Sequence, residues 1–166
     1  MRRRCKTAAA KHAKSVCLSR LITGATVSFV VLSIFRKGNC LMDMDESINV
    51  LGEPLLACDD DPVTGFFRDG TCNTCDDDVG SHTVCIEATT AFLEFSRFRG
   101  NDLSTPAPEY GFKGLKPGDN WCVCAARWLE AYENDMAPRV HLTRTHRKAL
   151  EIVPLEYLKE LATDLN

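Results

Sequence analysis

Trp121-Cys122-Val123-Cys124-Ala125-Ala126-Arg127-Trp128-Leu129-Glu130-Ala131-Tyr132 is the stretch from which the fold is read. Trp121, Cys124, Ala125, Trp128, Leu129, Tyr132 and Met136 fall at offsets 0, 3, 4, 7, 8, 11 and 15, the spacing of one helical face. Asp119 or Asn120 supplies a cap and Pro138 a stop. The pattern therefore predicts a helix from Trp121 to Asn134.

Working outward, His82 to Ala88 reads as a strand. Thr89 or Thr90 then caps a helix running to Arg99, with Gly100 in the C′ position. Phe92, Phe95 and Phe98 give that helix an apolar face. Downstream, Arg139 to Thr143 reads as a strand, and Thr145 caps a short turn through Leu150. Pro154 opens a last helix with Leu155, Leu158 and Leu161 turned inward. Near the start, Asn49-Val50-Leu51 reads as a short strand ended by Gly52 and Pro54. Short strands mixed with about three helices, without a βαβ repeat, imply an α+β fold in a single compact domain.

Asp59 to Gly80 interrupts this pattern. It holds seven Asp, three Gly and one Pro, all turn formers. A loop of this length inside a compact domain is functional or disordered. Phe66, Phe67, Cys72 and Cys75 argue for order, because disordered tracts are poor in such residues.

Charge divides the chain. Residues 1–42 carry nine Lys or Arg and no Asp or Glu, whereas residues 43–166 carry eleven basic and 23 acidic residues. The second part is the folded domain. Its acidic balance excludes the basic footprint that nucleic-acid binding needs. The extension has an uncharged run from Leu21 to Phe35, shorter than the roughly 20 residues that span a bilayer as a helix. It reads as a mitochondrial presequence, as a signal anchor, or as a stretch bypassed when translation starts at Met42 or Met44. Those readings place the domain in mitochondria, at a membrane through residues 21–35, or in the cytoplasm.

Nine cysteines are many for this length, and Cys58, Cys72, Cys75, Cys85, Cys122 and Cys124 lie in the domain. In an oxidising compartment they are able to form three disulfides; in a reducing one they are metal ligands, reactive thiols or core. Cys72-x2-Cys75 followed by His82-x2-Cys85 puts four soft or borderline donors within fourteen residues, a set that suits zinc. Cys122 and Cys124 lie at the expected helix start, where free amides and the helix dipole favour a thiolate. Cys124 shares the apolar face with Trp128 and reads as core. Cys122 points elsewhere and reads as the nucleophile, with His82 as its base. A Cys-x-Cys chelate there would require the helix to begin after Cys124. The Asp residues match no EF-hand pattern and read as solvated charge, paired with Arg68, Arg97 and Arg99. His141 and His146 read as structural. No phosphate-binding Gly-rich loop, Gly-x-Ser-x-Gly elbow or His-Glu-x-x-His is present.

Several strings together resemble one family. They are Asn49-Val50-Leu51-Gly52-Glu53-Pro54-Leu55, Asp61-Pro62-Val63-Thr64-Gly65-Phe66-Phe67-Arg68-Asp69-Gly70, Asp78-Val79-Gly80-Ser81-His82-Thr83-Val84-Cys85, Arg99-Gly100-Asn101-Asp102-Leu103-Ser104-Thr105-Pro106, and Gly118-Asp119-Asn120-Trp121-Cys122-Val123-Cys124-Ala125-Ala126-Arg127-Trp128. The set resembles the largely bacterial domain-of-unknown-function family 2237, over about residues 48–162. That resemblance brings no activity, substrate or cofactor. It implies that Cys58, Cys72, His82, Cys85, Cys122 and Cys124 belong to the family pattern and that Gly stands at the position of Cys75. The departure at Cys75 shifts weight from the local quartet to a long-range cluster of Cys72, His82 and Cys85 with Cys122 or Cys124. Three function classes follow: a metal- or thiol-bearing site, catalytic or not; an acidic module that docks a basic partner; and a structural or oligomerising protein with buried cysteines.

Overall fold

Val84-Cys85-Ile86 is an apolar, partly β-branched run, and in the computed structural model it forms the central strand β1, Val84–Glu87. The structure describes residues 47–165. The extension, with its presequence, anchor and alternative-start readings, lies outside them. Strand β2, Asn120–Val123, and strand β3, Arg139–Val140, flank β1 in the order β2-β1-β3, both antiparallel to it. Val84 stands opposite Val123, Cys85 opposite Cys122 and Ile86 opposite Trp121.

Alternation along a strand then separates two faces. Val84, Ile86, Trp121 and Val123 enter the main core with Phe92, Trp128, Leu142 and Leu158. Cys85 and Cys122 point the other way, into a second buried cluster with Cys58 and Cys72. Both faces of β1 and β2 are thus covered.

Helix α1, Thr90–Phe98, is as expected: Thr89 accepts a hydrogen bond from the Phe92 amide at 3.2 Å, and Gly100 follows with φ +83°. Its Phe face is narrower than expected. Phe92 is buried, but Phe98 is 85% exposed. Residues three apart slip by about 60° per step, so the third Phe has rotated out of the core.

The expected helix at Trp121 is corrected. Helix α2 is Ala125–Tyr132, with Cys124 as its N-cap, and the four preceding residues are strand β2. Buried positions on both sheet faces hide the two-residue alternation, and Trp121 happens to sit in phase with the following helix. Pairing with β1 satisfies backbone groups that would otherwise stay open, and that decides the matter. Asn49-Val50-Leu51 is also not a strand. Buried Asn49 accepts hydrogen bonds from the amides of Leu51 (2.9 Å) and Glu53 (3.1 Å), which makes a turn held by isolated bridges.

The expected strand at Arg139 keeps only its first two residues. Thr145 does not cap the following 3-10 turn, Arg147–Glu151; His146 does, accepting from the Lys148 amide at 3.1 Å. Pro154 precedes helix α3, Leu155–Glu160, whose Leu158 is buried. Among the described residues no helix is long and apolar enough to cross a membrane.

Candidate functional site

The long loop is ordered by its own polar residues. Asp59 accepts from the amides of Asp60 (2.8 Å) and Asp61 (3.2 Å), and Asp69 from the amide and hydroxyl of Thr71 (2.9 and 2.8 Å). Two Asp of the run thus fold the chain rather than being merely solvated. Thr64 takes the Cys122 amide at the open edge of β2 (2.8 Å), and Thr145 takes the Cys85 amide (3.1 Å). Disulfides join Cys58 to Cys85 and Cys72 to Cys122, fastening the loop to the back of the sheet. Cys75 is disulfide-bonded as well.

These bonds set what each expected site residue is able to do. Cys122 lies in β2, is 1% exposed and is spent in a disulfide. Cys72 and Cys85, expected beside His82 as metal ligands, are likewise oxidised, and His82 turns elsewhere. The soft donors do converge: the sulfurs of Cys58, Cys72 and Cys85 lie within 4.8 Å of one another. Among the described residues the free thiol is that of Cys124, half-buried rather than core.

Cys124 gains its place from the end of β2. As N-cap of α2 its carbonyl accepts from the amides of Arg127 and Trp128, both at 3.0 Å. The Ala125 amide donates to Ser81 O at 2.9 Å, which brings the segment before β1 against the helix start. The Ala126 amide has no acceptor among the described residues. Negative charge is favoured at such a helix start.

His82 is one residue beyond Ser81, whose left-handed φ of 49° turns the chain into β1. Its ring faces the Cys124 thiol on one side, and the two lie against the same point beside Gly80. On the other, Nδ1 meets Asp78 Oδ1 at 2.6 Å. The Asp78 side chain is fully buried, and its Oδ2 accepts from the His82 amide (2.7 Å) and the Thr74 hydroxyl (2.9 Å). The Cys124 side chain is the largest influence on His82. Burial opposes it, the bond to Asp78 reinforces it, and the imidazole is raised from the usual 6.5 to about 9.

Gly80 closes the corner. A Cβ there would stand 2.7 Å from His82 Cε1 and 3.2 Å from the Cys124 sulfur. Gly80→Ala is expected to push the ring off the sulfur and to lower Cys124 alkylation at pH 7 by at least about threefold, on the order of a contact worth less than 1 kcal/mol. Peptide mapping by mass spectrometry reads that rate directly.

Sequence reasoning passed over Asp78 as one of three solvated carboxylates. The available signal was its position four residues before His82, which suits a local side-chain bond. Arg97 and Arg99 do not pair with the loop; they reach Asp102 and Glu130. Lys113 and Lys148 pair with loop carboxylates instead, Asp61 and Asp76. His141 is tied between Asn120 (3.0 Å) and Thr163 (2.8 Å), and burial pushes it down.

A cavity of about 250 Å³ opens beside the thiol, lined by His82 and Cys124 with Phe66, Arg68, Asn101 and Trp121 among its walls. The ring of Phe66 stacks toward His82 with centroids 6.4 Å apart. Fold and site together define a small α+β domain, stapled by disulfides, in which a thiol, an imidazole and a buried carboxylate stand in series. The chain belongs to the family described as "Uncharacterized protein conserved in bacteria (DUF2237)", matched over residues 48–162. No curated protein matches the chain.

Proposed function

We propose that the domain is a cysteine-dependent enzyme acting on a small electrophilic substrate, with Cys124 as nucleophile, His82 as proton carrier and Asp78 as the positioning residue. The observation that carries this reading is the grouping of Cys124 beside His82 and of His82 on Asp78, at a helix start and on the wall of a cavity. Asp78 engages Nδ1, so Nε2 is the nitrogen left to take the thiol proton.

Acyl transfer is the reaction class these parts fit. The Cys124 proton passes to His82, and the sulfur attacks a carbonyl carbon. The carbon–leaving-group bond breaks, and the leaving group departs with the His82 proton. Water then adds to the thioester, giving one proton to His82; the acid leaves as the sulfur recovers its proton. The Ala126 amide is the donor this helix start offers to the transient oxyanion. Iodoacetamide tests the nucleophile without a known substrate. At pH 7 Cys124 is expected to alkylate at least about tenfold faster than glutathione in the same tube, since a base beside the sulfur takes its proton as the new bond forms. A glutathione-like rate would sink the reading.

A second reading applies to the reduced chain. Sulfurs within 4.8 Å of one another are near the spacing of donors around one ion, so Cys58, Cys72 and Cys85, with Cys122 beside them, are the set that would take zinc after reduction. Elemental analysis of anaerobically reduced protein checks this: stoichiometric zinc, lost in a Cys58→Ser, Cys85→Ser variant, is expected. Metal-free reduced protein at micromolar zinc would refute it.

A further inference from the structure

Among the described residues, the walls of the cavity beside Cys124 hold one guanidinium and no carboxylate. Arg68 lines it, with its guanidinium carbon 5.2 Å from the centre of the Trp121 ring. The domain carries a large excess of acidic residues, and among the described residues five of its basic side chains meet them: Lys113 with Asp61, Lys148 with Asp76, Arg97 with Asp102, and Arg99 and Arg127 with Glu130. Arg68 makes no ion pair among the described residues; its Nη1 donates only to the Val63 carbonyl, at 3.3 Å. A guanidinium seated on an aromatic face keeps donors free for a planar anion.

The backbone supports the same point. Arg68 has a left-handed φ of 56°, a conformation that Gly or Asn adopts more readily. Gly65 and Gly70 hold the neighbouring left-handed positions, with φ of 88° and 81°. An arginine at Arg68 is therefore not what the turn itself asks for. The turn lifts its side chain to the rim of the cavity that also holds the thiol.

We infer that the Cys124 site takes a small substrate bearing a carboxylate, which Arg68 grips while the electrophilic carbon lies at the sulfur. Asn101, on the same wall, offers a neutral amide to the substrate's remaining polar atoms, and Phe66 and Trp121 flank its apolar part. This rests on the thiol-site reading above and adds the charge class of the substrate. A cavity of about 250 Å³ limits that substrate to a small molecule.

Iodoacetate and iodoacetamide form a matched pair for the test. Each places a CH₂ carbon on sulfur and expels iodide, and only the first carries a carboxylate. The full chain is treated with each reagent, the Cys124 peptide is quantified by mass spectrometry, and each rate is divided by that of glutathione. The normalised iodoacetate rate should exceed the iodoacetamide rate by about fivefold, the scale of one exposed ion pair. Arg68→Gln should remove most of that ratio, and Arg68→Lys should keep part of it. A ratio near one, or a ratio that Arg68→Gln leaves intact, overturns the inference while the thiol-site reading stands. Slow reaction with both reagents overturns the two together.

Discussion

Replacing Cys72 and Cys122 together by serine lowers the free energy of unfolding by about 4 kcal/mol, the chain-entropy value for a crosslink closing roughly 50 residues. The bond spans 50 residues and holds the long loop against the edge strand β2. Apart from the Cys58–Cys85 bond at the loop's start, little else holds it there with comparable strength. The back-face cluster consists of four cysteines, and the exposed side chains of Val63, Phe66 and Val79 add little burial from the loop. The Thr64 hydroxyl and the Asp59–Asn120 bond are contacts worth about 1 kcal/mol each. The midpoint of thermal unfolding should fall by roughly 10–20 °C for a domain of this size. Urea denaturation of the variant beside the wild type measures the loss. A change under about 1 kcal/mol would mean that the loop is held by something other than its crosslink.

The second large effect is on Cys124 itself. His82→Gln keeps a polar side chain of similar reach but removes the group that takes the thiol proton. Alkylation at pH 7 should fall about tenfold, to the rate of an ordinary thiol. Asp78→Asn should fall less, because Asp78 acts on the sulfur only through the ring. The His82 shift also fixes the sign of a pH effect on folding. Its value in the folded chain lies above the unfolded 6.5, so the stabilisation is complete below pH 6.5 and is lost as the pH rises through about 9. His82→Gln should flatten that decline.

Much of the architecture was legible in the chain. Thr89 and Gly100 mark the ends of α1, and Pro154 marks the start of α3, because caps and breakers act locally. The start of α2 was not legible. Cys122 and Val123 are buried on opposite faces of β2, and a strand buried on both faces loses the alternation that identifies it. That single boundary governs the site. With the helix beginning at Ala125, the thiol at the cap position is Cys124 and Cys122 turns to the back of the sheet. His82 was legible as a candidate from its neighbours alone. Its partners were not, because Asp78 looked like one of three equivalent acids and the pairing of six cysteines depends on which strands meet.

The coupling of Cys124 to His82 is tested most directly by following the His82 ring protons by nuclear magnetic resonance against pH, in the wild type and in Cys124→Ser. The wild-type ring should titrate with a midpoint of about 9 and the variant's should drop toward 6.5, since the Cys124 side chain is the largest raising influence. A midpoint near 6.5 in both proteins would contradict a thiol and imidazole acting as a pair.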